Sequence, residues 1–103
     1  MLLPLPKTAK VGAHVYHIEL SQELTDALEY GVTLHKPQLI RIALERQPSD
    51  FLRIYIHEVL HIIDRTWLGQ HLEENEIGNL AEGLAAFLMD NYHIEGMTYD
   101  GTV

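Results

Sequence analysis

Cysteine is absent from this chain, which excludes a disulfide scaffold, a thiolate zinc site and a cysteine nucleophile and leaves the redox compartment open. Basic residues are scarce: 7 Lys and Arg stand against 15 Asp and Glu, a net charge of −8. So acidic a surface repels phosphate backbones, and no nucleic acid is expected as a partner. Long apolar runs are missing as well. Nothing approaches the ~18 residues of a membrane span, and Met1–Pro6, broken by Pro4 and Pro6, lacks the apolar segment of a signal peptide. The expectation is a soluble, cytoplasmic protein with no membrane partner. Repeats and linkers are also lacking, and 103 residues make one domain, 1–103. What the chain has in excess is histidine, with 7.

Periodicity divides the chain into a β-rich first half and a helical second half. Val11–Leu20 alternates Tyr16, Ile18 and Leu20 against Val15, His17 and Glu19, the pattern of a half-buried strand. Ser21 suits the cap of a short helix reaching about Tyr30, with Gly31 as its stop. Val32–Leu34 and Gln38–Leu44 read as two short strands either side of Pro37. Ser49 and Asp50 then signal the start of a helix over Phe51–Leu68, ended by Gly69. A second helix spans Glu73–Asn91 with the stripe Ile77, Leu80, Ala81, Leu84, Ala85 and Leu88. The tail from Tyr92 to Val103 has no period. The fold class is therefore α+β: a short three-stranded sheet packed on two helices, with its core over about 10–91.

His57-Glu58-Val59-Leu60-His61 is the one pattern that carries chemistry. Residues i and i+4 of a helix share a face, so both imidazoles can hold a single Zn²⁺. Glu58 lies about 100° round from His57, where its carboxylate can act as general base toward a water of lowered pKa. Seven His and ten Glu in the chain make only about 0.04 such matches by chance. The run is also strongly apolar around the motif, and two imidazoles and a carboxylate are costly to bury there without a partner.

An open catalytic zinc needs a third protein ligand. His71, Glu73, Glu74, Glu76, Glu82 and His93 are the candidates, and Glu82 is preferred. It shares a helical stripe with Gly78, Ala85 and Ala86, small residues that let two helices approach closely. His71 sits just past the helix stop and is the main alternative. Glu73, Glu74 and Glu76 are read as first-turn acids favourable to the helix dipole. Asp64, three positions after His61, is a candidate hydrogen-bond partner of a ligand histidine or an ion-pair partner of Arg65 or Lys36. His14, His17, His35 and His93 are read as surface or strand residues.

On these residues the chain resembles zincin metallopeptidases, and most of all the very small gluzincins (minigluzincins) and related proteins encoded by phages and prophages. The resemblance runs over about residues 10–91 and rests on His57–Asp64, Leu80-Ala81-Glu82-Gly83-Leu84 and Asp90-Asn91. It implies a zincin-like domain with one Zn²⁺ per chain, bound by His57, His61 and Glu82, and Glu58 as the catalytic base. It also implies that the strand before the motif helix, Gln38–Leu44, pairs with an extended peptide or protein substrate. Ala86 stands where many gluzincins have an acidic residue. The expected function is a zinc-dependent metallopeptidase. The alternative is a latent or non-catalytic zinc-binding protein acting through protein contacts, its cleft blocked by the 92–103 tail. A third reading, similar to SprT-type proteases of DNA-bound proteins with His71 as ligand, is disfavoured by the acidic charge.

Overall fold

The computed structural model describes residues 1–44 and 46–99, so the last part of the expected tail lies outside the described residues. The chain is a small compact α+β fold with a radius of gyration of 13.1 Å. Its elements run β1 (Leu2–Pro4), β2 (Thr8–Val11), β3 (His14–Ser21), α1 (Gln22–Asp26), β4 (Gly31–Leu34), β5 (Leu39–Ala43), α2 (Pro48–Trp67), α3 (Glu74–Tyr92) and β6 (Gly96–Thr98).

The main sheet is mixed, four-stranded rather than three-stranded, in the order β2-β3-β5-β4. The strand expected from Val11 is cut at Gly12, whose φ of +61° turns the chain and makes β2 and β3 an antiparallel hairpin. Alternation along β3 is as expected: Tyr16 is buried, Ile18 and Leu20 are half-buried, and Val15, His17 and Glu19 are exposed. β3 then pairs in parallel with β5, and β5 in turn pairs antiparallel with β4. Strand β5 is therefore interior, with both edges occupied, and its Ile40 and Ile42 are fully buried. This corrects the expectation that Gln38–Leu44 offers an edge to a substrate. Among the described residues the edge strands of this sheet are β2 and β4; both pack beside α2, β4 more extensively.

The helices begin and end where local chemistry allows. Ser21 caps α1 by accepting from the Leu24 N–H at 3.2 Å. That helix stops at Asp26, short of Tyr30, because Leu28 turns left-handed at φ 58°, and Gly31 joins β4 instead of acting as a stop. In α2 the cap is Gln47 and Pro48 is the first helical residue, so Ser49 lies inside the first turn. Gly69, at φ +66°, follows the helix end as expected.

Helix α2 is central: β4, β6 and α3 all pack on it. Phe51, Leu52 and Ile62 point into the main core with Ile40 and Ile42, each worth about 1.5–3 kcal/mol of burial. Helix α3 meets α2 through Ile77, Ala81 and Ala85, whereas Leu80 and Leu84, expected in the same stripe, are exposed. The contact stripe is narrower than the sequence suggests because Ala81 and Ala85 let the helices close on that line.

The ends of the chain are also structural. β1 and β6 form a second, parallel pair with Leu3 opposite Met97. Ile94 and Met97 are buried in the main core, which extends it past residue 91. Gly96, at φ +145°, lies against the start of α2 so closely that a Cβ would come within 2.2 Å of the Pro48 carbonyl carbon. No helix of the described chain is long and apolar enough to cross a membrane.

Candidate metal centre

Helical geometry puts His57 and His61 one turn apart on the same face of α2, their ring centroids 5.1 Å apart. Both rings are half-buried and open onto a cavity of about 620 Å³ bounded by β4, α2 and α3. The carboxylate that meets them is Glu74, the first residue of α3. Its Oε1 lies 2.6 Å from His57 Nε2, and its Oε2 lies 3.2 Å from His61 Nε2. His57, His61 and Glu74 offer three ligand atoms within 4.8 Å of one another, so this group could hold a metal ion. Two neutral nitrogens and one carboxylate suit a borderline cation such as zinc.

The three acids at the start of α3 divide the work there. Glu73 is the N-cap, and its backbone N–H donates to Glu76 Oε1 at 2.7 Å in a capping box. Glu74, between them, is left free to reach across to α2. Asp64 sets where this turn falls. It is buried, and its Oδ1 accepts from the backbone N–H groups of His71 and Leu72 at 3.1 and 3.2 Å. Asp64 thus holds the connection between the two helices, and neither of the roles considered for it from sequence is seen among the described contacts.

The register of α3 decides which side chains face the histidines. Gly78 lies opposite His57, where a Cβ would sit 4.0 Å from the imidazole Cε1. One turn before it, Glu74 reaches both rings. One turn after it, Glu82 comes opposite Arg53, with Oε1 3.7 Å from Nε. Glu82 lines the same cavity but is 70% exposed and outside the donor group. His71 is also outside it, exposed in the connection. His93 ends α3 in the left-handed region, and its carbonyl accepts from the N-terminal ammonium.

Glu58 lines the same cavity on its β4 side and is only 4% exposed. Burial pushes its carboxyl above the ordinary glutamate range, and the Glu74 charge adds to this. The hydrogen bond from Thr33 and the nearby imidazoles work in the opposite direction. Thr33 Oγ1 donates to Glu58 Oε1 at 2.7 Å.

His35, a surface or strand residue on the sequence pattern, forms part of the cavity wall. Its Nδ1 lies 2.8 Å from the hydroxyl of buried Tyr16. Burial lowers its pKa first, and the charges of Arg65 and His61 lower it further. Thr33, His35 and Tyr16 carry no sequence signal for this site, because they meet it only through the fold. Glu74 had one feature, its place at the start of the following helix, but the same place explains a dipole-stabilising acid equally well.

Among the described residues, nothing after Tyr92 lines this cavity. Tyr99 packs instead on Phe51, with ring centroids 5.7 Å apart. That part of the tail does not block the cleft. Compared with family models, curated proteins and solved structures, the chain has no significant match.

Proposed function

We propose that this protein is a zinc metallopeptidase of zincin type, with His57, His61 and Glu74 as the metal ligands and Glu58 as the base. The observation that carries the proposal is the convergence of two imidazoles and a carboxylate on one cavity, with a second, buried carboxylate one residue from the first imidazole. Zinc bound there supplies Lewis acidity toward a peptide carbonyl and lowers the pKa of water.

The chain's own residues account for the other requirements. Glu58, shifted toward neutrality by burial, is suited to accept a proton from water and return it to the leaving amine. β4 has an unpaired edge beside α2 and can add an extended peptide as a further strand, which brings a main-chain carbonyl to the cavity.

The test is metal analysis of the purified chain together with cleavage of a quenched fluorescent peptide library. About one zinc per chain, cleavage abolished by chelator and restored by zinc, and no cleavage by Glu58→Gln are expected. Zinc binding without any chelator-sensitive cleavage would favour the latent, non-catalytic reading instead.

A further inference from the structure

We propose that Gly31 and Thr33, on one face of the edge strand β4, are positioning residues that set the carboxylate of Glu58 in a single orientation. The inference deepens the peptidase reading and rests on it for its kinetic consequences alone.

A glutamate side chain has three rotatable bonds, and a base must be held within a fraction of an ångström of its working geometry. Helix α2 fixes only where the Glu58 side chain starts. Its far end is defined by β4. Residues i and i+2 of a strand share a face, so Gly31 and Thr33 both turn toward the helix. The Thr33 hydroxyl has one proton to give and two acceptors in reach, Glu58 Oε1 at 2.7 Å and the Glu58 carbonyl at 3.1 Å. The carboxyl oxygen is the nearer acceptor, which makes it the stronger partner.

The second oxygen has its place because Gly31 carries no side chain. A Cβ on Gly31 would stand 3.0 Å from Glu58 Oε2, 3.0 Å from Ile54 Cγ2 and 3.3 Å from the Arg41 carbonyl oxygen. Glycine at this position therefore leaves the space that Oε2 occupies, while Thr33 ties down Oε1. The strand that carries Gly31 and Thr33 would also present its edge to a peptide. Docking of substrate and aim of the base are then set by one element, and any shift of β4 moves both.

The experiment uses the full chain with zinc added, as the parent and as Thr33→Val, Thr33→Ser and Gly31→Ala. Scalar couplings across χ1 and χ2 of Glu58 report its rotamer, and zinc content, kcat and KM are measured on the same samples. The parent and Thr33→Ser should show one rotamer. Thr33→Val, which keeps the shape and loses the hydroxyl, should show averaged couplings, one zinc, KM within about twofold and kcat lower by up to about a hundredfold. Gly31→Ala retains the hydroxyl and should change the rotamer by displacing Oε2, which gives an independent arm. Parent-like couplings in both Thr33→Val and Gly31→Ala overturn the proposal, whatever the activity. Changed couplings in a protein whose parent cleaves nothing support the positioning role and count against the peptidase reading.

Discussion

Replacing Glu74 by alanine removes the one carboxylate, among the described residues, whose oxygens reach both motif histidines, at 2.6 and 3.2 Å. A zinc held by four ligands is worth about 10–16 kcal/mol, so one ligand carries on the order of 3 kcal/mol, or roughly a 150-fold change in affinity. The same loss appears in thermal stability, because metal binds only the folded chain. At a zinc concentration that saturates the parent, Glu74→Ala should lose about 3 kcal/mol of metal-linked stabilisation, which is ~12–24 °C in melting temperature for a domain near this size. Without metal the substitution is nearly silent. Glu74 is 70% exposed, and an exposed pair or a first-turn acid is worth at most about 1 kcal/mol. Glu82→Ala provides the contrast: it breaks a long contact to Arg53 and should change zinc affinity by less than about threefold. Competition against a chromophoric chelator, with melts at fixed zinc, measures both effects. Unchanged affinity in Glu74→Ala, or a large loss in Glu82→Ala, would refute the register argument for the site.

Three further outcomes are expected. Metal-free Glu58→Gln should be more stable than the parent at pH 7. Burial raises the native pKa of Glu58, so its stability penalty grows as pH rises through the unfolded value near 4.3 up to the native one; urea melts of the two proteins should converge below about pH 4. The lowered pKa of His35 has the opposite consequence: its contribution is present above about pH 6.5 and is lost as pH falls through the unfolded value toward the native one. His35→Gln should therefore flatten the drop in melting temperature between about pH 7 and 5.5, and an unchanged slope would show that His35 is not the group responsible. Gly96→Ala forces a Cβ to within 2.2 Å of the backbone at Pro48 and should cost on the order of 3 kcal/mol, read from the urea midpoint.

The two motif histidines and their shared face follow from a helical spacing that no tertiary contact needs to enforce. The boundaries of α2 and α3 are likewise legible to within a residue or three, because Pro48, Gly69 and the Glu73–Glu76 capping box act through neighbouring backbone. Strand alternation around Tyr16 and Ile40 is local as well, which is why the α+β class could be read directly. Other features depend on partners far away in sequence. β1 and β6 are three residues each, too short to carry a period, and exist because Leu3 meets Met97 across the molecule. The place of β5 inside the sheet and of β4 at its edge depends on the return of β5 to β3, which alternation along either strand cannot reveal.

The candidate site divides along the same line. Sequence by itself determined that His57 and His61 share a face and that Glu58 leaves that face by about 100°, since an α-helix has one geometry at 3.6 residues per turn. It could not determine which carboxylate completes the group. Small residues on α3 show that the helix approaches α2, but a stripe of Gly78, Ala81 and Ala85 is compatible with more than one axial register. The register was decided by the tertiary structure: Asp64 pins the connection at His71 and Leu72, and Gly78 then comes to rest opposite His57. One turn to either side of Gly78 separates Glu74, against the imidazoles, from Glu82, against Arg53, a difference of about two helical turns that only the packing of one helix on the other can set.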